Sequence, residues 1–282
     1  MAEAQSIILH QFARSPFSEK IRLALRIKNI DWVAVDVPVV LPKPDLMPLT
    51  GGYRRTPVLQ LGADVFCDTS IMLEELDQRS PDTRLERPGH EGLSKMVAAW
   101  CNGKWFQTSV SVVFGAVGDQ MPQAFVDDRT KMMGRPFDVK AMKTAAPFFR
   151  DQWRSQLMWI EERLKGGRRA GEGDWLMGAE PGTLDVHAFM NPWFVEKNVP
   201  DFLKACFEAA PETKDWYHRL REIKGQGPEK MTSAQAVEIA QSAEPCAKTA
   251  TVAGEFRSLQ VGDRVAVAPD DYAKDWVTGD LV

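Results

Sequence analysis

The spacing of apolar residues changes several times along this chain, and each change predicts an element. Ile7-Ile8-Leu9 is a short apolar run that reads as a strand. Phe17, Ile21, Ala24 and Leu25 then recur at helical spacing. Ser15 is a good N-cap for that helix and Pro16 suits its first position, so a helix is predicted from Pro16 to about Lys28. Trp32-Val33-Ala34-Val35-Asp36-Val37 alternates and predicts a second strand, whereas Pro38 to Tyr53 is Pro- and Gly-rich and irregular. Arg55-Thr56-Pro57-Val58-Leu59-Gln60-Leu61 reads as a strand opened by an X-Pro bond. Gly62-Ala63-Asp64 supplies a turn and Val65-Phe66-Cys67 the return strand of a hairpin. Asp68-Thr69-Ser70 then caps a helix that includes Ile71 to Leu76.

That order, strand–helix–strand followed by hairpin and helix, describes a thioredoxin-like half with a mixed sheet. It predicts a first domain over 1–80. A linker follows in Ser80-Pro81-Asp82-Thr83 and Arg87-Pro88-Gly89. From about Glu91 the spacing is helical: Leu93, Met96, Val97 and Trp100 open one helix that extends to about Val117. Phe149, Trp153, Leu157, Ile160 and Leu164 form a core stripe, with Pro147 ending or kinking the first turns and Gly166-Gly167 ending the helix. Further helices are predicted over 183–197, 200–209, 212–224 and 232–242, so an all-α helical-bundle domain spans 91–242. Gln241 to Ala253 reads as a linker, and 254–282 as a short β-rich extension with strands at Arg264–Ala268 and from Gly279, and a turn at Pro269-Asp270-Asp271. A unit of roughly thirty residues is too small to fold alone. It must pack on the helical domain, pair with a partner strand, or begin a larger β module. The fold class is therefore α+β.

Composition removes several classes of function. The 282 residues exceed one ordinary domain, and 44% apolar content supplies proper cores. The net charge of −4, with no basic block, gives no support for nucleic-acid binding. Met1 to Gln5 has neither the basic region nor the apolar stretch of a signal peptide, and no apolar run approaches a membrane span. Cys67, Cys101, Cys206 and Cys246 lie far apart, with no metal-ligand spacing, so reduced thiols in a cytoplasmic compartment and no metal are expected.

The chemistry concentrates at Ser15, a hydroxyl where a strand hands over to a helix. Free N–H groups and the positive end of the helix dipole favour an anion there, and a thiolate is one such anion. A plain cap is the alternative reading. Ser15-Pro16-Phe17-Ser18-Glu19-Lys20-Ile21-Arg22, then Thr56-Pro57-Val58-Leu59, then the acidic–hydroxyl pair Asp68-Thr69 opening a helix stand in one order and spacing. Together they resemble the N-terminal domain of a glutathione S-transferase, and a weaker match extends the resemblance over roughly residues 5 to 230.

The resemblance implies a glutathione site. Pro57 would be cis, and Thr56 would offer backbone N–H and C=O to the tripeptide. Asp68 would pair with the γ-glutamyl ammonium, and Thr69 with its carboxylate. The family more often has Glu and Ser at these two places, and Asp is one methylene shorter. Its catalytic residue is a tyrosine, serine or cysteine near the first strand. None of the three tyrosines (Tyr53, Tyr217, Tyr272) lies in that strand, and positions 15 and 18 are serine, which excludes disulfide exchange at this turn. Ser15 remains, in a setting most similar to plant tau-class enzymes, with Ser18 a second donor or a solvated cap. Trp100, Asn102 and Trp105 become candidate walls of a hydrophobic-substrate pocket between the domains, with core packing as the alternative for each tryptophan. Gly182-Thr183-Leu184-Asp185 resembles the family's buried helix start, with Gly182 in place of a capping hydroxyl. The expected function is activation of the glutathione thiolate for attack on a small hydrophobic electrophile, by a homodimer. The alternative is a non-catalytic carrier or interaction scaffold.

Overall fold

The computed structural model describes residues 6–246 and 259–282. The readings of Met1 to Gln5, of the linker beyond Cys246 and of the start of the extension lie outside the described residues. β1 (Ile7–Gln11) is buried along its whole length, as its apolar run requires. The helix α1 (Pro16–Lys28) begins where predicted: the Ser15 side chain accepts from the Ser18 N–H at 3.1 Å. Asn29 ends it in the left-handed region. After β2 (Val33–Asp36) and a short α2 (Leu46–Leu49) come β3 (Val58–Leu61), β4 (Asp64–Cys67) and α3 (Thr69–Arg79).

The helical part comprises α4 (Glu91–Trp100), α5 (Phe106–Val117), α6 (Gln123–Met133), α7 (Val139–Thr144), α8 (Ala146–Arg169), α9 (Thr183–Asn198), α10 (Pro200–Ala209) and α11 (Pro211–Glu222). A π-helical turn over Cys101–Trp105 joins α4 to α5, so the predicted single helix is continuous but bulged. Pro147 sits at the start of α8 and separates it from α7, as predicted. Gly166-Gly167 does not end α8: the backbone continues to Arg169, with the Ala170 N–H donating to the Gly166 carbonyl at 3.0 Å. A pair of glycines costs a helix about 2 kcal/mol and does not force a stop.

The sheet has five strands in the order β4-β3-β1-β2-β5. β1 pairs parallel with β2 and antiparallel with β3, which gives the mixed thioredoxin-like half. Its last strand, β5 (Glu229–Met231), was not anticipated. It lies between two predicted helices, inside the domain predicted as all-α, yet pairs parallel with β2, Val35 facing Met231. The next helix, α12 (Ser233–Ser242), also returns to the sheet, and the Ala236 carbonyl accepts from Gln60 Nε2 at 2.8 Å. Three residues, two of them charged, are too short and polar to carry a strand signal.

One buried ion pair holds α1, α3 and the inter-domain connection together. Lys28 Nζ contacts an Asp77 carboxylate oxygen at 2.8 Å and also donates to the Ser80 and Thr83 carbonyls. Asp77 in turn accepts from the Leu85 and Glu86 N–H groups. The C-terminal extension is an antiparallel hairpin of β6 (Arg264–Val267) and β7 (Val277–Asp280). Residues 268–276 between them form a long loop, wider than the predicted turn, and the extension reaches both the first domain and α6.

Candidate active site

The N-termini of α1 and α3 meet at one end of the sheet, beside the cis Thr56-Pro57 bond. A recess there is lined by Phe17, Thr56, Pro57, Asp68, Thr69 and Asn102. Phe17, Thr56 and Asn102 also line an adjoining cleft of about 1280 Å³, which contains Ser15 and an apolar wall including Phe106, Phe114 and Phe125. Four residues read as a tripeptide seat, with Ser15 and Asn102, thus converge on one continuous opening.

Each side chain has a defined hydrogen-bonding role. Ser15 is 2% exposed, and its hydroxyl accepts the Ser18 N–H, which leaves its own proton free to donate. Asp68 is held at φ +87°, where a side chain is uncommon, and its carboxylate caps α3 by accepting from the Ser70 N–H at 2.8 Å. Thr69 Oγ1 accepts from Lys20 Nζ at 3.1 Å, so its proton too can point at a ligand. Thr56 Oγ1 accepts from Lys43 Nζ at 2.7 Å. Burial, with Arg129 and Arg54 nearby, lowers the Lys43 pKa to about 8.

Lys20 has no role in the reading of the sequence, although it stands in the quoted motif. It falls three residues after Phe17, so the same helix face carries it inward. Its ammonium is fully buried, bridges Thr69 and Asn102 Oδ1 (2.6 Å), and lies 4.6 Å from the centre of the Phe17 ring. Burial lowers its pKa from 10.5 to about 7, against the pull of Asp68 and Cys101. Both folded and unfolded chains hold the proton well below pH 7, and the cost of burying the charge is then fully present. Between about 7 and 10.5 the unfolded chain holds more protons, so this group makes stability rise with pH. Urea unfolding at pH 7 and at about pH 9.5 should therefore show wild type gaining on Lys20→Met. Parallel behaviour of the two proteins would remove the buried ammonium from the account.

Trp100 and Trp105 require a correction, because neither lines the recess or the cleft. Trp105 is fully buried and stacked on Trp100 at 4.9 Å, and Trp100 Nε1 donates to Gln156 Oε1. Apolar rings serve a core or a pocket wall equally well, and here the π-helical turn directs these two into the core and Asn102 into the opening. Cys67, just before Asp68, has its thiol pushed up to about 12 by burial and by Asp68. A thiolate at this position is therefore disfavoured. Among the described residues there is no cluster of three or more metal-ligating His, Cys, Asp or Glu side chains, and no helix is long and apolar enough to cross a membrane.

A thioredoxin-like sheet followed by a helical bundle, with a polar recess at the cis-proline, defines the glutathione S-transferase class of fold. The sequence profile described as "Glutathione S-transferase, N-terminal domain" matches residues 9–84. A GST-like protein from Pseudomonas syringae is 30% identical, with a TM-score of 0.76 over 98% of this chain and 87% of that one. Glutathione S-transferase U1 of Arabidopsis thaliana is 23% identical over 79% of this chain and 88% of that protein. A glutathione S-transferase from Methylobacterium radiotolerans, solved in complex with glutathione sulfonate, shares the fold with a TM-score of 0.55 at 20% identity, over 79% of this chain and 96% of that one. The chain belongs to the glutathione S-transferase family.

Proposed function

We propose that this protein is a glutathione-dependent transferase that lowers the pKa of the glutathione thiol and directs the thiolate at a small hydrophobic electrophile. The observation that carries this reading is the Ser15 hydroxyl at the N-terminus of α1, its lone pair taken by the Ser18 N–H and its proton free, in a cleft continuous with Thr56, Asp68 and Thr69. Backbone groups of Thr56, beside cis Pro57, would hold the cysteinyl part of the tripeptide. Asp68 would pair with the γ-glutamyl ammonium, and the Thr69 hydroxyl and the α3 N-terminus would take the carboxylate. Ser15 donates to the sulfur and forms no covalent bond. The thiol proton leaves to solvent, the sulfur bonds to the electrophilic atom, and the leaving group departs with its electron pair. Phe106, Phe114 and Phe125 give the acceptor side its apolar character.

We read the working unit as a homodimer, which size-exclusion chromatography with light scattering would test. A cytoplasmic place fits four free thiols, and a role in detoxification fits the open apolar cleft. The second reading, a glutathione or hydrophobic-ligand carrier, is favoured by the C-terminal extension that contacts the recess. An ultraviolet titration of glutathione into the protein across pH separates the two. A thiolate band near neutral pH supports the transferase, whereas binding without a band supports the carrier.

Asp68→Asn is the gentlest test of the γ-glutamyl seat. Asn tolerates positive φ and can still cap α3, but it cannot pair with an ammonium. A charge-assisted bond is worth about 1.5–3 kcal/mol, so the Kd for glutathione should rise roughly ten- to a hundredfold in calorimetry. An unchanged Kd would mean that the ammonium sits elsewhere.

A further inference from the structure

The C-terminal hairpin has almost no core of its own: no residue of β6 or β7 is buried, β6 is largely exposed, and β7 alternates between half-buried and exposed positions. Its contacts concentrate instead in the loop over 268–276, at the recess. The Asp271 carboxylate pairs with the guanidinium of Arg55, and the Tyr272 ring lies 3.9 Å from it. Asp271 also accepts its neighbour's N–H, from Tyr272, at 2.8 Å. Two further anchors follow this pair. The Ala273 N–H donates to the Met132 carbonyl on α6 at 2.8 Å, and Val277 packs on Gly51 and on the cluster that contains Tyr53. The loop thus lines both the recess and the cleft, and places a carboxylate and an aromatic ring against the residue next to Thr56.

Arg55 is the cation best placed for a ligand carboxylate. Its neighbours Arg54 and Arg129 both pair with Asp128, and Lys43 is taken up by Thr56 and the Arg54 carbonyl. A guanidinium presents a planar fork that matches a carboxylate; Asp271 holds it by one contact, at Nη2, and the buried Arg55 Nε has no hydrogen-bond partner among the described residues. We propose that Asp271 and Tyr272 are specificity-determining residues of this site, an internal carboxylate clamp that competes with the terminal carboxylate of the incoming thiol peptide for Arg55. The proposal rests on the glutathione reading above, because glutathione carries a free carboxylate at its glycine end. Tethering gives the competitor an effective concentration in the millimolar range, against which the ligand must compete. Capture of the tripeptide then exchanges one carboxylate for another on Arg55 and frees the loop.

The test uses the full chain with Asp271→Asn, in which 47% side-chain exposure makes the change tolerable to the fold. Glutathione and its C-terminal amide are titrated into both proteins by calorimetry, and amide hydrogen exchange of 270–275 is followed with and without glutathione. The variant should bind glutathione about tenfold tighter, with no gain for the amide. Exchange at 270–275 should accelerate in the variant, and in wild type on adding glutathione. Tyr272→Ala removes the second contact to Arg55 and should move both readouts in the same direction. Unchanged or weaker glutathione binding by Asp271→Asn overturns the clamp, and so does an equal gain for the amide, which would mark a steric plug instead. No binding of glutathione to any of the proteins overturns the glutathione reading itself, and the competition with it.

Discussion

Ser15→Ala is expected to remove the thiolate band that glutathione develops near neutral pH and to lower kcat/KM about a hundredfold. Bringing a thiol from a pKa of about 8.5 down by roughly two units requires about 2.7 kcal/mol. A charge-assisted hydrogen bond contributes about 1.5–3 kcal/mol and a helix N-terminus about 0.3–1 more. Hydroxyl and helix end together suffice, and the helix end alone does not. The Ser15 hydroxyl accepts the Ser18 N–H, which leaves its proton available for donation to the sulfur. The same substitution deletes the cap of α1, at a cost of about 1 kcal/mol, small against a stability of about 5–15. Activity and folding can therefore be separated. Ser15→Thr keeps both cap and hydroxyl and should recover most of the band. Glutathione should still bind to Ser15→Ala, because the γ-glutamyl contacts at Asp68 and Thr69 are untouched. A band of full strength in Ser15→Ala would move the donor elsewhere, and Tyr272 would be the first hydroxyl to examine, since it lines the same recess.

What the chain reveals before folding follows the range of the interactions. The handover at Ser15-Pro16 and the cap at Asp68 are local, and the residues that make them are adjacent in sequence, whereas the cis Thr56-Pro57 bond was expected only through the resemblance to the family. The fold class was legible for the same reason, since alternation and helical spacing repeat within each element. Lys20 could have been noticed from its place on the Phe17 face, where a charged residue must be buried or solvated. Tyr272 could not, because sequence distance from the first strand says nothing about a tail that folds back. Its neighbour Asp271 pairs with Arg55 across 216 positions. The tryptophans fail for a different reason: an aromatic ring has the same helical spacing whether it faces a core or a cleft, and only the π-helical turn decides.

Asp185→Ala should be the most destabilising single change named here. The Asp185 carboxylate is wholly buried at the start of α9 and is ringed by donors. One oxygen accepts the Leu176 N–H at 3.0 Å and the Trp216 indole N–H at 2.7 Å; the other accepts the Gly182 N–H at 2.9 Å. Burial pushes its pKa up, and these donors pull it back. Alanine leaves all of them unpaired in the interior, at about 1–3 kcal/mol each. The expected loss is about 3–5 kcal/mol, and the urea midpoint should fall by more than about 1 M. No hydroxyl at position 182 can share the load. A Cβ on Gly182 would lie 3.0 Å from the Leu85 carbonyl, which itself accepts the Thr183 N–H, so close approach of the connection to α9 explains the glycine. Asp185→Asn keeps an oxygen for Leu176 and Trp216 but sets an amide against the Gly182 N–H. Its loss should be about 1–3 kcal/mol, between wild type and alanine. Equal losses for the two variants would show that the charge and not the hydrogen bonds matters, and a loss under about 1 kcal/mol for alanine would remove the anchor altogether. Since α9 packs directly on α1, loosening it also loosens the helix whose first turn carries Ser15. Thiolate formation should thus weaken in Asp185→Ala as the protein approaches its lowered melting temperature, while Asp185→Asn retains it further.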